Sequence, residues 1–473
     1  MVDIDRFRVV LGSTLPGAAP LTRTQWETLA WLSPELLVSV DRDQRLLVSA
    51  VMISARTSVG RVDDALELAR RELERTAVGG SLDPAREGAA ELLVAVAEAH
   101  ATAGASRETA LFADKAAAME GALPAVVYRA QGLSALATAL NGEYASATTT
   151  IAAADERRLE HGWEASAADF PLLLARVLVA SAALDALALS SLAEQFRAIG
   201  GSSAIWRSTA LAVDAMADLV RFDVGAGIAK SRLVGQSTAE GEVLMMIRGF
   251  ARGIHADLLL LRGDAPQALA LLRDEPSTPD HSLCFDMQRA AAWLALGRPR
   301  DALRTTDGCL RLGHRHCLRT IPPLLLRRAV AWERLGRPER ADSEFAEAFH
   351  LVQSSGSLTP LLTVPRVETL ALLHRFAAAH EGHRAAVEVL LTRLALVPVS
   401  SGARPVVPTL TKREEATARA LYASTTHAEL AAQLSVSVNT VKVHLRNLYA
   451  KLGVTNKHDA VDLLQSSGFF ELP

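Results

Sequence analysis

The sequence predicts an all-α protein, a superhelix of helical hairpins followed by a small four-helix domain. Three observations carry this. Hydrophobic residues make up 49% of the chain but aromatics only 5%, so the interior is filled with small and aliphatic side chains, chiefly Ala and Leu, that favour helix over strand. A short phrase, a Gly followed five residues later by a small residue, recurs along most of the chain. After Leu396 the composition changes abruptly to a Pro-, Gly- and Ser-containing stretch, beyond which the pattern differs. The length, 473 residues, suits two to four structural units at roughly 100 to 200 residues each. With 50 Lys plus Arg against 53 Asp plus Glu, a uniformly basic coat for nucleic acid and an acidic disordered tail are both excluded. Any contact with nucleic acid must be local.

The clear copies of the phrase are Gly60 to Ala65, Gly142 to Ala147, Gly263 to Ala268, Gly297 to Ala302 and Gly336 to Ala341, with weaker versions at Gly104 and Gly382. Neighbours lie 34 to 46 residues apart, and the gap of 121 residues between Gly142 and Gly263 has room for two more units. Each phrase suits the bend of a hairpin. Gly ends one helix in the left-handed conformation, Pro299 or Pro338 enters the next at its first turn, and the small residue lets the two helices approach. Trp293 and Trp332 each stand four residues before a Gly. On Gly142, Tyr144 and Ala147, with Ile151 and Ala154 later in that unit and Phe345 and Ala348 after Ala341, the units resemble tetratricopeptide repeats. The resemblance implies a divergent array of about eight to ten hairpins over residues 1–396.

Three cysteines, Cys284, Cys309 and Cys317, form no disulfide framework and suit a reducing compartment, so the expected location is the cytoplasm. Met1 to Ser13 lacks the apolar run of a secretory signal. The most apolar stretch, Pro171 to Ala193, is interrupted by Arg176 and Asp185 and is expected to be a buried helix pair, not a bilayer span.

Residues 397–408 contain three prolines, a Gly and two serines, the composition of a linker. In residues 409–473, Thr411 with Glu414 and Thr426 with Glu429 have capping-box spacing; further helix starts fall at Ser437 and Asn456. The expected helices are 411–423, 427–434, 438–452 and 457–466. On the third, Val438, Val441, Leu445, Leu448 and Leu452 make one apolar stripe. Asn439, Lys442, Val443, Arg446 and Tyr449 or Ala450 lie away from it, and Thr440, His444, Asn447 and Lys451 flank it. This segment has seven cations against six acids, yet between Ser437 and His458 there are four cations and no acid. A cationic helix after a short helix and a tight turn is the geometry of a major-groove reader.

Leu410 to Glu414, Glu429-Leu-Ala431, Ser437 to His444 and Tyr449 to Val454 resemble the LuxR-type helix-turn-helix domain of bacterial transcription regulators. The resemblance implies double-stranded DNA as a partner, with Lys442, Val443 and Arg446 facing base edges and Thr440, His444, Asn447 and Lys451 holding phosphates. It also implies a homodimer on DNA through the fourth helix, with Ala460, Val461, Leu463 and Leu464. Independently, Lys442 and Arg446 are one turn apart, and Val443 is an apolar side chain on a polar face, suited to a thymine methyl. Departures from the family are Thr417 and Ala418, where large aliphatics are usual, and Ser424 in place of a Gly. Together the two regions resemble the sensor and DNA-binding parts of MalT-like regulators without their P-loop ATPase.

Gly225 to Ser231 has Ala229 and Val224 where a phosphate loop needs Gly, so no cofactor is expected. Candidate metal ligands are Cys309, His314, His316 and Cys317, with His281 and Cys284 upstream; because structural zinc sites favour closer cysteine pairs, no metal is expected. Trp206, Trp293 and Trp332 are candidates to line a ligand cavity, with hairpin packing the alternative. No catalytic spacing stands out, and the acids Asp63, Asp64 and Asp223 are expected on solvated helix surface, so an enzyme is not expected. The expected function is a DNA-binding transcriptional regulator whose repeat region senses a small molecule or protein. The alternative is a repeat scaffold with a degenerate DNA-binding domain.

Overall fold

The computed structural model describes residues 3–16, 18, 20–41, 44–78, 86–237, 242–396, 410–423, 426–452, 456–457, 460–461, 464 and 469. The linker 397–408 and Ser424 lie outside them. Among the described residues the regular elements are all helical, and no helix is long and apolar enough to cross a membrane. Two helices, α1 (Ile4–Gly12) and α2 (Arg23–Ala30), precede a run of nine hairpins. The first five are α3 (Arg45–Ser58) with α4 (Val62–Val78), α5 (Ala89–Ala103) with α6 (Ser106–Ala117), α7 (Pro124–Asn141) with α8 (Tyr144–Glu160), α9 (Phe170–Ala182) with α10 (Ala186–Gly200), and α11 (Ala204–Arg221) with α12 (Val224–Gly235). The other four are α13 (Met245–Leu261) with α14 (Ala265–Leu272), α15 (Asp286–Ala295) with α16 (Pro299–Leu312), α17 (Ile321–Arg334) with α18 (Pro338–Ser355), and α19 (Arg366–Ala379) with α20 (Arg384–Leu396).

The first helix of each hairpin packs on the first helix of the next, which makes these helices the inner layer. Their sequences show it: α7 is buried along most of its length, whereas α8 buries Tyr144, Ala147 and Ala154. The small residues of the recurring phrase, Ala65, Ala147, Ala268, Ala302 and Ala341, are all at most 1% exposed, so each bend closes with its two helices in direct contact. Gly60, Gly142, Gly263, Gly297 and Gly336 take positive φ at these bends, as does Gly104; Gly382 lies in a short 3-10 turn. The long gap does hold two hairpins, but their bends use Leu184 (φ 55°) and Phe222 (φ 61°). A non-Gly residue there costs about 1–2 kcal/mol. Both side chains pack into one apolar cluster with Leu219, Ile254 and Leu258, which offsets that cost.

The array also closes on itself. Three longer loops, those before α15, α17 and α19, dock on the tight bends of α5–α6, α7–α8 and α9–α10. Asp280 accepts hydrogen bonds from the Ser106 backbone N–H at 2.8 Å and its hydroxyl at 2.6 Å. The Arg319 N–H donates to the Asn141 carbonyl and the Leu358 N–H to the Ala182 carbonyl, each at 2.8 Å. The partners are more than 170 residues apart in sequence. Asp223 is exposed, as expected, and also caps α12 by accepting from the Ala226 N–H.

Candidate nucleic-acid interface

Three further helices follow the undescribed linker: α21 (Lys412–Ala423), α22 (His427–Leu434) and α23 (Val438–Leu452). Both capping boxes are formed, with Thr411 and Glu414 exchanging bonds at the start of α21 and Thr426 and Glu429 at the start of α22. Ser435 (φ 51°) turns the chain left-handed after α22, and the Ser437 hydroxyl accepts the Thr440 N–H to open α23. Lys457, Ala460, Val461 and Leu464 are helical beyond it. These pieces share one apolar core of their own, in which Val441, Leu445, Leu448 and Leu452 meet Leu410, Leu421, Leu430 and Leu464.

Val438 was expected in that stripe but is 41% exposed. As the first residue of α23, its side chain tilts back beyond the end of the bundle, and Val436 packs partly against the core from the preceding turn. Tyr449, expected on the free face, also packs against the core, where burial pushes its phenol pKa upward. The side chain of Ala450 lies outside the described residues. Thr417 and Ala418 are fully inside the bundle, the Thr417 hydroxyl donating to the Arg413 carbonyl at 2.8 Å, so α21 approaches its neighbours through small residues.

The opposite face of α23 is open. Asn439, Lys442, Val443, Arg446 and Asn447 are exposed, Val443 by 46%. Neither Lys442 nor Arg446 has a hydrogen bond or ion pair among the described residues. Thr440 and His444 are half-buried at its edge. Lys451 is different: its Nζ is 2.6 Å from Glu414 Oε2. Hydrogen bonds from Lys451 and then Thr411 draw the Glu414 carboxyl down to about 2. The sequence signal for this pair was present in Glu414, whose capping role fixes its carboxylate beside α23. In the fourth helix Ala460 and Leu464 are fully buried in the domain's own core, so they are not available to a second copy; Val461 is half-buried and Leu463 lies outside the described residues.

Residues 408–464 match the sequence profile of the family described as Bacterial regulatory proteins, luxR family. This C-terminal part is a LuxR-type helix-turn-helix domain, joined to an all-helical body. Two similar proteins are each named HTH-type transcriptional regulator MalT. That of Yersinia enterocolitica is 41% identical over 64 residues, 13% of this chain and 7% of the relative. That of Klebsiella pneumoniae subsp. pneumoniae is 38% identical over 92 residues, 20% of this chain and 9% of the relative. The chain thus spans less than a tenth of the length of these relatives.

Elsewhere, Trp206 lines a cavity of about 840 Å³ together with Trp26, Glu98, Arg129 and Phe170. Arg129 reaches Thr14 Oγ1 at 2.6 Å and Glu98 Oε2 at 3.0 Å in its wall. Trp293 and Trp332 instead carry Arg298 and Arg340 over their rings, at 4.4 and 4.7 Å from the centroids. Lys230 of the rejected phosphate-loop motif is paired with Asp218 at 2.6 Å. Of the candidate metal ligands, Cys309 and His316 come together with His281 and Cys284. His314 stays exposed, and Cys317 points to the Leu140 carbonyl.

Proposed function

We propose that this protein is a DNA-binding transcriptional regulator in which residues 409–473 bind promoter DNA, residues 1–396 sense an effector, and 397–408 link the two. The observation that carries the reading is the open face of α23: Lys442, Val443 and Arg446 exposed side by side, without an acid, in a LuxR-type domain. In this reading these three meet base edges in the major groove, and Thr440, His444, Asn447 and Lys451 hold phosphates. Two copies bind paired half-sites in the cytoplasm. The cavity beside Trp206, with an aromatic lining and an Arg–Glu pair in its wall, suits a small polar effector. No catalytic role is part of this reading.

The test is selection of duplex DNA by the full-length protein, followed by binding of the selected site across a salt series. The expected result is an enriched sequence and an affinity that falls linearly on a log–log salt plot. A folded protein that binds no duplex even at low salt would leave the scaffold alternative. Lys451 gives a finer check. Glu414→Gln keeps the cap but removes the charge that holds Lys451, so binding to all sequences should tighten and the salt slope steepen by about 1. An unchanged slope would make Lys451 a strut of the bundle and remove it from the phosphate contacts.

A further inference from the structure

The long loop before α15 and the end of α16 bring four donor atoms together, from His281, Cys284, Cys309 and His316, all within 4.8 Å of one another. The distances are informative. The two sulfurs are 3.8 Å apart, and Cys309 Sγ is 3.4 Å from His281 Nδ1. A tetrahedron with metal–sulfur bonds of about 2.3 Å and metal–nitrogen bonds of about 2.0 Å has edges of about 3.8 Å between sulfurs and about 3.5 Å between sulfur and nitrogen. The observed separations fit it, and 3.8 Å is far beyond a disulfide bond.

His316 supplies the second observation. It is 3% exposed, and its Nδ1 lies 3.0 Å from the Cys317 carbonyl. A carbonyl only accepts, so Nδ1 carries the proton and Nε2 is left with its lone pair. That Nε2 is buried with no hydrogen-bond partner, a costly state for a polar atom. A metal ion satisfies it, and the Nδ1 bond to a carbonyl is the outer contact by which ligand histidines are oriented. His281 is held in the left-handed conformation (φ 56°), with its carbonyl accepting the Thr320 hydroxyl at 2.8 Å. Asp286 Oδ2 accepts the Cys309 thiol proton at 3.4 Å, the proton that metal binding would displace.

We infer that His281, Cys284, Cys309 and His316 form a structural zinc site. Two thiolates and two neutral imidazoles suit a tetrahedral divalent zinc, whose charge the thiolates balance after releasing two protons. Four protein ligands close the site, which excludes a hydrolytic role. Its position gives it a purpose. The loop that carries His281 and Cys284 docks on the Gly104 bend through Asp280, and the segment after His316 docks on the Gly142 bend through Arg319. Zinc fastens these two docking loops to each other.

The test uses the full-length protein, reduced and stripped with a chelator, then titrated with Co²⁺. The expected result is one Co²⁺ per chain, with the visible bands of tetrahedral cobalt and thiolate charge transfer, displaced by one equivalent of Zn²⁺. Cys284→Ser and Cys309→Ser should each weaken binding by more than about 100-fold, beyond what loss of an outer contact does. Cys317→Ser and His314→Ala should leave the spectrum unchanged. Wild-type protein without thiolate–cobalt bands overturns the inference whether or not the serine variants fold, and so does a spectrum that depends on Cys317 or His314.

Discussion

Replacing both Lys442 and Arg446 with Ala should remove about 2–6 kcal/mol of the preference for the selected DNA site over unrelated duplex. Each single change is expected to remove about 1–3 kcal/mol, roughly 5- to 150-fold, if the side chain reads a base edge. Specific binding usually exceeds non-specific binding by about 4–10 kcal/mol, so the pair carries a large share of the difference. Arg446→Ala should also flatten the sequence preference at one position, where guanine offers two acceptors to a guanidinium. Both side chains are exposed and unpartnered among the described residues; folding stability should therefore stay within about 0.5 kcal/mol. Equal losses on specific and unrelated duplexes would make them phosphate contacts, and the base-reading assignment would be wrong. Lys412, exposed on α21, serves as the control, since its truncation leaves sequence preference unchanged.

Gly142→Ala should destabilise the helical array far more than the same change at Gly297. Both glycines sit in the left-handed region, with φ +98° and +68°, so each substitution carries about 1 kcal/mol of backbone strain. Their surroundings differ. A Cβ at Gly297 meets nothing within 4 Å, whereas one at Gly142 lies 2.6 Å from the Arg319 backbone nitrogen and 2.9 Å from its Cα. Backbone cannot swing aside as a side chain does. The docked loop must lift, and the bonds from Arg319 to the Asn141 and Leu140 carbonyls, 2.8 and 3.3 Å, are lost with it. The expected loss is on the order of 3 kcal/mol, against about 1 at Gly297. Thermal unfolding of the two variants side by side measures it. Equal shifts would mean that closure of the array contributes nothing to its stability.

Much of the C-terminal domain was legible because its determinants are local. Capping residues three apart and an apolar stripe at helical spacing specified 427–434 and 438–452 to the residue, since both act within one or two turns. Val438 and Tyr449 escaped that reasoning: a stripe gives the facing of a helix but not where its neighbours end. The bends at Leu184 and Phe222 escaped because no Gly marks them; packing from distant helices holds a conformation that the residues themselves resist.

By itself the sequence determined that the chain is helical, where most hairpins bend, and which helix presents cations, for each rests on residues a few positions apart. Only the tertiary structure decided that Lys451 answers to Glu414, that three loops close on three bends, and that His281 and Cys284 meet Cys309 and His316. The closures and the His–Cys cluster depend on small rotations summed from hairpin to hairpin, and the Lys451–Glu414 pair on how α21 packs against α23; no short stretch of residues encodes either.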